Sequence, residues 1–219
     1  MGASFTSTSM TRDNLLLEGD VVTKPITLLS GQNLLRGSVL GGTTLGAVSK
    51  AAKAGGNTGA GTLVLDVTAP LQPSASPGIY MVRVTHVGEF EVLDPKGASI
   101  GVGEYAAGGA ATFSDRVKFA FTDDGTTHFI VGDGFDITVA AGTGKYILSA
   151  LADVDGTQIP DCILAQDTNA SAGDVATIAY FNATVNQNAL IFGTGQTIAN
   201  CMETLRTKDI QLVDVKTTY

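Results

Sequence analysis

The sequence predicts a mainly β protein with one short helix. Glycine is frequent, with 27 residues beside 6 prolines, which indicates many tight turns. Apolar and polar residues alternate along several short segments, as expected for strands that bury one face. Only one segment, near the C-terminus, has apolar residues at helical spacing. Hydrophobic residues make up 44% of the chain, which is enough for a packed core.

Residues 1–23 are predicted to form an N-terminal arm. This segment has no sustained hydrophobic period, is rich in Ser and Thr, and contains the apolar sequence Leu15-Leu16-Leu17. Such an arm could be mobile in isolation and could add a strand to the edge of a partner's sheet. An ordinary frayed terminus has the same composition, and on these residues alone it is the simpler interpretation.

Two strands and a linker are predicted after the arm. The first strand covers residues 26–29, after Pro25, and the second covers residues 34–40, with turn residues between them. Residues 45–61 consist largely of Ala, Gly and Ser, and this composition is typical of a linker.

The central part of the chain repeats a period of two. Short strands alternate with turns that contain Asp and Gly, and no segment has helical spacing, so we predict a small antiparallel sandwich or barrel at about residues 60–141. The clearest strands are residues 116–122 and 135–139. Their apolar side chains fall on one face each, namely Val117, Phe119 and Phe121, and Phe135, Ile137 and Val139.

Three further strands are predicted after residue 144. Residues 146–152 and 159–165 are expected to pair as a hairpin through a turn at Asp155-Gly156. Residues 174–185 are apolar or small on both faces, which is expected if one face meets its own core and the other meets a neighbouring subunit or domain. A closing strand is predicted at residues 210–215.

The one predicted helix precedes this closing strand. Thr194 or Thr197 can cap its N-terminus. We expect its apolar residues to pack in the core rather than to bind a ligand, and they follow i, i+3, i+4, i+7 spacing at Ile198, Cys201, Met202 and Leu205.

Charge and cysteine content argue against several classes of function. The net charge is −8 and the basic residues are scattered, whereas nucleic-acid binding needs a basic stripe. Cys162 and Cys201 form no CxxC pair, so we expect two buried thiols, no metal site and no cofactor. No segment is predicted to span a membrane, and no signal peptide is recognisable. Charged residues make up only 16%, which suits either a chain that hides surface in an assembly or an ordinary Gly-rich β protein.

No catalytic residue is predicted, although some motifs resemble catalytic or binding loops. Residues 97–101 fit G-x-S-x-G around Ser99, but glycine-rich sequence follows instead of the helix that a nucleophile elbow needs. Residues 142–145 lack the spacing of a phosphate-binding loop, and we interpret them as the return hinge of an inserted domain. Four aspartates in or near turns could hold calcium by their carboxylate oxygens, namely Asp123, Asp124, Asp133 and Asp136. Turns favour aspartate in any case, so these residues do not by themselves indicate a calcium site.

Two separated stretches carry a family resemblance. The first is residues 26–41, ITLLSGQNLLRGSVLG. The second begins with GKYIL at residues 144–148 and continues through Asp155-Gly156, CILA at 162–165 and AGD at 172–174 into the strand that ends at Val185. Together they resemble the bacteriophage head decoration protein family, the lambda-type capsid-stabilising proteins. The block between them resembles the extra β domain of longer phage virion proteins, at residues 78–80, 90–95 and 131–135.

The resemblance implies a domain organisation. Residues 24–55 and 143–219 would form a discontinuous, β-clip-like head decoration domain with one short helix. Residues 56–142 would be the inserted β domain, a small antiparallel sandwich or barrel. Residues 1–23 would be a capsid-binding arm.

The resemblance also implies a structural virion protein and not an enzyme. Such proteins form homotrimers on the outside of the expanded phage head at local three-fold positions and stabilise it against the pressure of packaged DNA. The partner would be the major capsid protein, with no nucleic acid or membrane partner, and the protein would be assembled in the host cytoplasm onto the outer surface of the virion head. The arm would become ordered on binding and pair with a strand of the coat protein. Its apolar residues are therefore the candidates for capsid contact: Phe5, Met10, Leu15, Leu16, Leu17, Val21 and Val22.

A second interpretation is a carbohydrate- or host-surface-binding virion module, in which the inserted domain is the binder. Exposed aromatic rings would favour it, but the chain has no Trp and its Phe residues mostly fit the buried faces of strands. A serine hydrolase that acts through Ser99 is a third and more distant interpretation.

Overall fold

The structure, a computed structural model, describes residues 14–17 and 19–215. In this part of the chain it is mainly β, with one α-helix, α1 (Ile198–Arg206), and a short 3-10 turn (Gln187–Ala189). The predicted fold class is therefore confirmed. The strands are, in chain order, β1 (Val22–Leu28), β2 (Asn33–Leu34), β3 (Val39–Gly42), β4 (Leu45–Ala52), β5 (Thr62–Leu65), β6 (Gly78–His86), β7 (Glu89–Leu93), β8 (Ser99–Glu104), β9 (Ala110–Ser114), β10 (Lys118–Thr122), β11 (Gly134–Ala141), β12 (Tyr146–Leu148), β13 (Cys162–Leu164), β14 (Thr168–Asn169), β15 (Val175–Asn186) and β16 (Ile210–Val213).

Strands from both ends of the chain form one sheet, and we call β1–β3, β12–β16 and α1 the split unit. The sheet has the order β1-β12-β3-β13-β15-β16, and β1 also pairs with β15. This additional pairing closes β1, β12, β3, β13 and β15 into a small barrel. The barrel is therefore complete only when β1 and β3 have met strands that lie more than a hundred residues later in the sequence.

Two apolar clusters fill the split unit. One consists of Ile26, Leu28, Leu34, Leu40, Cys162, Leu164, Ala170 and Ala179. The other joins α1 to the barrel and consists of Leu15, Val39, Ile163, Tyr180, Ala183, Val185, Cys201, Leu205 and Ile210. Each fully buried aliphatic side chain contributes about 1.5–3 kcal/mol to stability. Both cysteines are free and buried, as predicted, and burial raises the pKa of each thiol.

Helix α1 begins where the sequence predicts. The Asn200 amide donates to the Thr197 hydroxyl at 3.4 Å, and the Thr197 amide donates to the Asn200 side chain at 2.7 Å, so the two residues form a capping box. Cys201 and Leu205 are buried, but Met202 is 37% exposed, so the prediction that Met202 packs in the core is wrong. No helix among the described residues is both long and apolar enough to cross a membrane.

Strands β4–β11 form a second unit between the halves of the first, and we call it the inserted unit. It contains a five-stranded sheet, β4-β11-β6-β7-β8, and a three-stranded sheet, β5-β10-β9, with antiparallel pairing throughout. Both sheets contribute to a single apolar core with closely packed rings, such as Phe90 and Phe121 with centroids 4.7 Å apart. The six residues whose alternation predicted the strand faces are all buried in this core: Val117, Phe119, Phe121, Phe135, Ile137 and Val139.

The linker predicted at residues 45–61 is wrong for its first half. Residues 45–52 form β4, which pairs with β11 along its whole length, from Leu45 opposite Ala141 to Ala52 opposite Phe135. A ladder of backbone hydrogen bonds holds this strand, and such a ladder needs no large side chains. Composition rich in Ala, Gly and Ser therefore does not distinguish a linker from an edge strand here.

The predicted hairpin between residues 146–152 and 159–165 is also wrong. Strands β12 and β13 are shorter than predicted and do not pair with each other, because β3 lies between them and pairs with both. The sequence between them, which includes Asp155-Gly156, instead forms a loop that reaches the start of β4. The closing strand β16 ends at Val213, two residues earlier than predicted.

Candidate functional site

The end of the predicted arm is attached to the chain's own sheet. The Leu17 amide donates to the Thr184 carbonyl and the Asn186 amide donates to the Leu15 carbonyl, both at 2.9 Å. Between these bonds, Leu16 lies opposite Val185 in an antiparallel bridge. Residues 14–17, which we call the arm anchor, thus add a short strand to the C-terminal half of β15.

Leu15 holds the arm anchor by its side chain. It is 3% exposed and packs in the cluster that joins α1 to the barrel. The Asn186 side chain adds two hydrogen bonds, at 3.2 Å each, to the carbonyl and the side-chain oxygen of Asn14. Since a fully buried Leu contributes about 1.5–3 kcal/mol, Leu15 resists detachment of the arm anchor from β15.

The other predicted contact residues lie in different surroundings. Val21 and Val22 are 40% and 43% exposed, and Val22 begins β1 opposite Asn182. Phe5 and Met10 lie outside the described residues. The assignment of all these residues to capsid contact stays a prediction.

A shallow groove lies beside β1, close to where the arm joins the barrel. It has a volume of about 570 Å³, and its lining includes Lys24, Ile26, Tyr146 and Phe181. The Lys24 ammonium lies 4.8 Å from the centroid of the Phe181 ring, which places a positive charge over an aromatic face. Tyr146 donates its hydroxyl hydrogen to Asp161 at 2.8 Å, and burial together with this carboxylate raises the pKa of Tyr146.

The sequence patterns did not assign these groove residues to a site. The one available signal was the apolar character of both faces of β15, which carries Phe181. That pattern predicts a surface covered on both sides but does not identify Lys24 and Tyr146, because they are brought to Phe181 by the pairing of β1 with β15 and β12.

Arg36 also makes contacts with residues that are distant in the sequence. Its backbone amide donates to Asp167 at 2.8 Å, its Nε donates to the Ala165 carbonyl at 3.1 Å, and its guanidinium donates to the Tyr180 hydroxyl at 3.1 Å. These bonds fix the turn before β3. The neighbouring Leu35 points outward and is 59% exposed.

The Ser99 motif has no elbow in the structure. Ser99 is the first residue of β8 and is followed by strand instead of a helix. His128 lies 2.6 Å from Asp123, which also accepts hydrogen bonds from the Gly108 and Phe129 amides. Burial opposes ionisation of Asp123, but these hydrogen bonds outweigh it and lower the pKa of the carboxyl. Asp123 therefore has a structural role: it accepts hydrogen bonds that hold the loops at Gly108 and Phe129 in place.

The aspartates considered for calcium are also engaged in structural contacts. Asp133 accepts from the Thr58, Gly59 and Ile130 amides, and Asp136 forms an ion pair with Arg83. Among residues 14–17 and 19–215, no group of three or more His, Cys, Asp and Glu side chains is placed to hold a metal ion.

Comparison with known proteins finds a family match for one part of the chain. Residues 135–206, about a third of the sequence, match the family described as bacteriophage lambda head decoration protein D. No curated protein matches the chain.

Two crystal structures of FlgL from Xanthomonas campestris, in space groups H3 and C2, share 25% sequence identity with the chain over 51% of its length. The chain covers 34% and 33% of those proteins, about a third of their length, and the TM-scores are 0.32 and 0.31. Scores this low do not indicate a shared fold.

The family match runs from β11 through β12, β13 and β15 to the end of α1. It thus covers the whole of the second stretch on which the sequence resemblance rests, while the first stretch, residues 26–41, lies outside it, and it confirms that this part of the chain resembles the lambda-type head decoration proteins.

Proposed function

We propose that the protein is a trimeric decoration protein that binds the outer surface of an expanded phage head at local three-fold positions. The observation that carries this proposal is the match of residues 135–206 to the head decoration family, which supports a role in capsid decoration and a location on the virion. The family is one of structural phage proteins, and we propose a structural role without catalysis for this chain too.

The proposed partner is the major capsid protein, and the proposed contact is strand addition by the arm. The arm anchor is held on β15 by backbone hydrogen bonds and by buried Leu15. Residues 1–13 precede it, and they are the part of the arm that we propose pairs with a coat-protein strand. Main-chain hydrogen bonds and apolar burial offset the entropy lost when such a segment becomes ordered.

Trimer formation would strengthen this contact. Each trimer would present one arm per copy, so weak individual contacts would combine through a high effective concentration. Stabilisation of the head would follow because each trimer would join neighbouring coat subunits, and the pressure of packaged DNA would then act against several contacts at once.

The test uses purified protein and expanded heads that lack it. We expect the protein to sediment with the heads and to raise the temperature at which they release DNA. Native mass measurement of the free protein should give a trimer. Failure to bind would refute the decoration role, whereas binding by a stable monomer would refute only the trimer.

Carbohydrate binding by the inserted unit is less well supported. The inserted unit presents no exposed Phe or Tyr ring on which a sugar could stack, because all its Phe and Tyr residues between β5 and the end of β11 are at most 9% exposed: Tyr80, Phe90, Tyr105, Phe113, Phe119, Phe121, Phe129 and Phe135. A glycan-binding screen of the whole protein would test this alternative, and saturable binding would support it.

A further inference from the structure

We propose that the two strands that connect the split unit to the inserted unit form a rigid stem, which fixes the direction in which the inserted unit points. The stem consists of residues 42–46 and 141–146, which include the sequence Gly142-Thr143-Gly144 predicted to be a hinge. This proposal concerns the chain alone and does not depend on head binding.

Backbone hydrogen bonds continue through the stem without a gap. The pairing of β4 with β11 reaches Leu45 opposite Ala141, and the pairing of β3 with β12 begins at Gly42 opposite Tyr146. In the short interval between these pairs, three further bonds connect the two strands. They run from the Gly142 amide to the Thr44 carbonyl at 2.9 Å, from the Gly144 amide to the Thr43 carbonyl at 3.0 Å, and from the Thr43 amide to the Lys145 carbonyl at 2.8 Å.

Side chains add a contact between the two strands of the stem. The hydroxyl oxygens of Thr43 and Thr143 lie 2.7 Å apart, and the Thr43 hydroxyl also donates to the Lys145 carbonyl at 3.0 Å. A hinge needs backbone groups that can exchange their partners for water. Here several polar groups of the two strands are already paired across the stem, so rotation at this point would break several hydrogen bonds together.

A loop of the split unit braces the stem from the side. The amides of Thr44 and Leu45 both donate to the Asp155 carbonyl, at 2.9 and 2.8 Å. Thr157 holds this loop, because its hydroxyl donates to Asp153 at 2.9 Å and its amide donates to the Asp155 side chain at 3.1 Å. Two paired strands alone can bend out of the plane that they share. The loop at Asp155 is bonded to one of the two strands, and it resists that bending.

The glycines at this junction permit close contact. A Cβ atom on Gly142 would lie 2.2 Å from the Thr43 carbonyl oxygen, and one on Gly156 would lie 2.0 Å from the Thr44 hydroxyl oxygen. Gly156 also has a φ of +101°, which other residues rarely adopt. Glycine at position 142 therefore lets the two stem strands approach each other, and glycine at position 156 lets the loop approach the stem.

A rigid stem matters because the inserted unit is long. Strand β6 begins at Gly78, opposite Val139 near the stem, and its nine residues extend about 30 Å at roughly 3.3 Å per residue. A swing of about 10° at the stem would therefore move the far end of β6 by about 5 Å. The stem would hold the exposed turn at Val87, which is 83% exposed, in one position relative to the barrel.

Hydrogen exchange of the intact protein tests the stem directly. We expect the amides of Thr43, Thr44, Leu45, Gly142 and Gly144 to exchange at least about a hundredfold more slowly than in an unstructured peptide, as amides in stable strands do. Slowing of these amides by less than about a hundredfold would show that the stem opens as a hinge and would overturn the proposal.

Spin-label distances provide a second test that reports on direction. The native cysteines are fully buried, so spin labels can be attached selectively at two introduced cysteines, Val87→Cys in the inserted unit and Ser171→Cys in the split unit. Labelled chains are diluted among unlabelled ones, so that only distances within one chain are measured. We expect one narrow distance distribution. A distribution as broad as that of two units on a flexible linker would overturn the proposal.

Substitution of Gly156 tests the contribution of the bracing loop separately from that of the two paired strands. Gly156→Ala should broaden or shift the distance distribution, because the added Cβ forces the loop away from Thr44. Gly173→Ala is the matched control, since no atom lies within 4 Å of the position that its Cβ would occupy and its φ is not positive. An unchanged distribution in Gly156→Ala would refute the bracing role of the loop.

Discussion

The arm anchor gives a prediction whose size follows from the structure. Leu15→Ala removes most of an apolar side chain that is 3% exposed. The lost burial corresponds to about 2.4 kcal/mol, at about 0.8 kcal/mol for each of three carbons. Measured Leu→Ala changes at buried sites cost about 2–5 kcal/mol, and the lower part of this range applies because a short added strand relaxes more easily than the centre of a core. We therefore expect the free energy that holds the arm anchor on β15 to fall by about 2–3 kcal/mol.

Hydrogen exchange measures this change at two amides. The Leu17 and Asn186 amides donate across the bridge between the arm anchor and β15, so both become exposed when the arm anchor detaches. Because about 1.4 kcal/mol corresponds to a factor of ten, their exchange should accelerate by about 30- to 150-fold in Leu15→Ala.

Leu35→Ala is the matched control for this experiment. It makes the same chemical change at a side chain that is 59% exposed, so it should leave both exchange rates nearly unchanged. Head binding should weaken in Leu15→Ala and not in Leu35→Ala if the anchor positions the arm. Equal exchange rates in the two variants would refute the conclusion that Leu15 holds the arm on β15.

Three other perturbations test separate parts of the structure. Deletion of residues 2–13 keeps the arm anchor, so it should abolish head binding while native mass and circular dichroism stay unchanged; undiminished binding would contradict the arm mechanism. Asp133→Asn should reduce the acid sensitivity of the inserted unit. The pKa of Asp133 is lowered because hydrogen bonds from three amides outweigh the opposing effect of burial. The contribution of Asp133 to stability is therefore present above about pH 4 and is lost as the pH falls through the lowered pKa. Thermal unfolding between about pH 2.5 and 6 measures this, and identical pH profiles for the two proteins would exclude it. Phe121→Ala should destabilise the inserted unit by about 3–5 kcal/mol in urea unfolding, because its ring is fully buried, whereas Val102→Ala at a half-exposed position should cost less than about 0.5 kcal/mol; similar losses would contradict the assigned core.

Local patterns predicted the strands of the inserted unit and the helix. Phe119, Phe121 and Ile137 could be assigned to a buried face because alternation along a strand depends only on neighbours in sequence. Thr197 could be named as one of two candidate caps because capping also involves residues only a few positions apart.

Strand partners could not be predicted in the same way. Strands β12 and β13 are close in sequence, and a hairpin between them was the simplest expectation. The structure places β3 between them, and β3 comes from more than a hundred residues earlier. No local signal encodes such a pairing, because the choice among possible neighbours depends on which arrangement closes the barrel and buries its apolar faces.

The candidate site shows the same division. The sequence identifies Leu15-Leu16-Leu17 as an apolar group in a polar segment, and the strand-adding tendency of such a group is visible there. Whether its partner strand belongs to the same chain or to another cannot be read from these residues. The structure supplies β15 as the partner of the arm anchor.

By itself, the sequence determined the β class, the buried faces, the helix and the resemblance to head decoration proteins, since each depends on spacing or motifs within short segments. Only the tertiary structure decided which strands meet, that Leu15 is buried, and that Gly142-Thr143-Gly144 belongs to a hydrogen-bonded stem. Glycine next to threonine has the composition of a hinge, but rigidity depends on whether the backbone groups there have partners. In this protein those partners come from Thr43, Thr44 and the loop at Asp155.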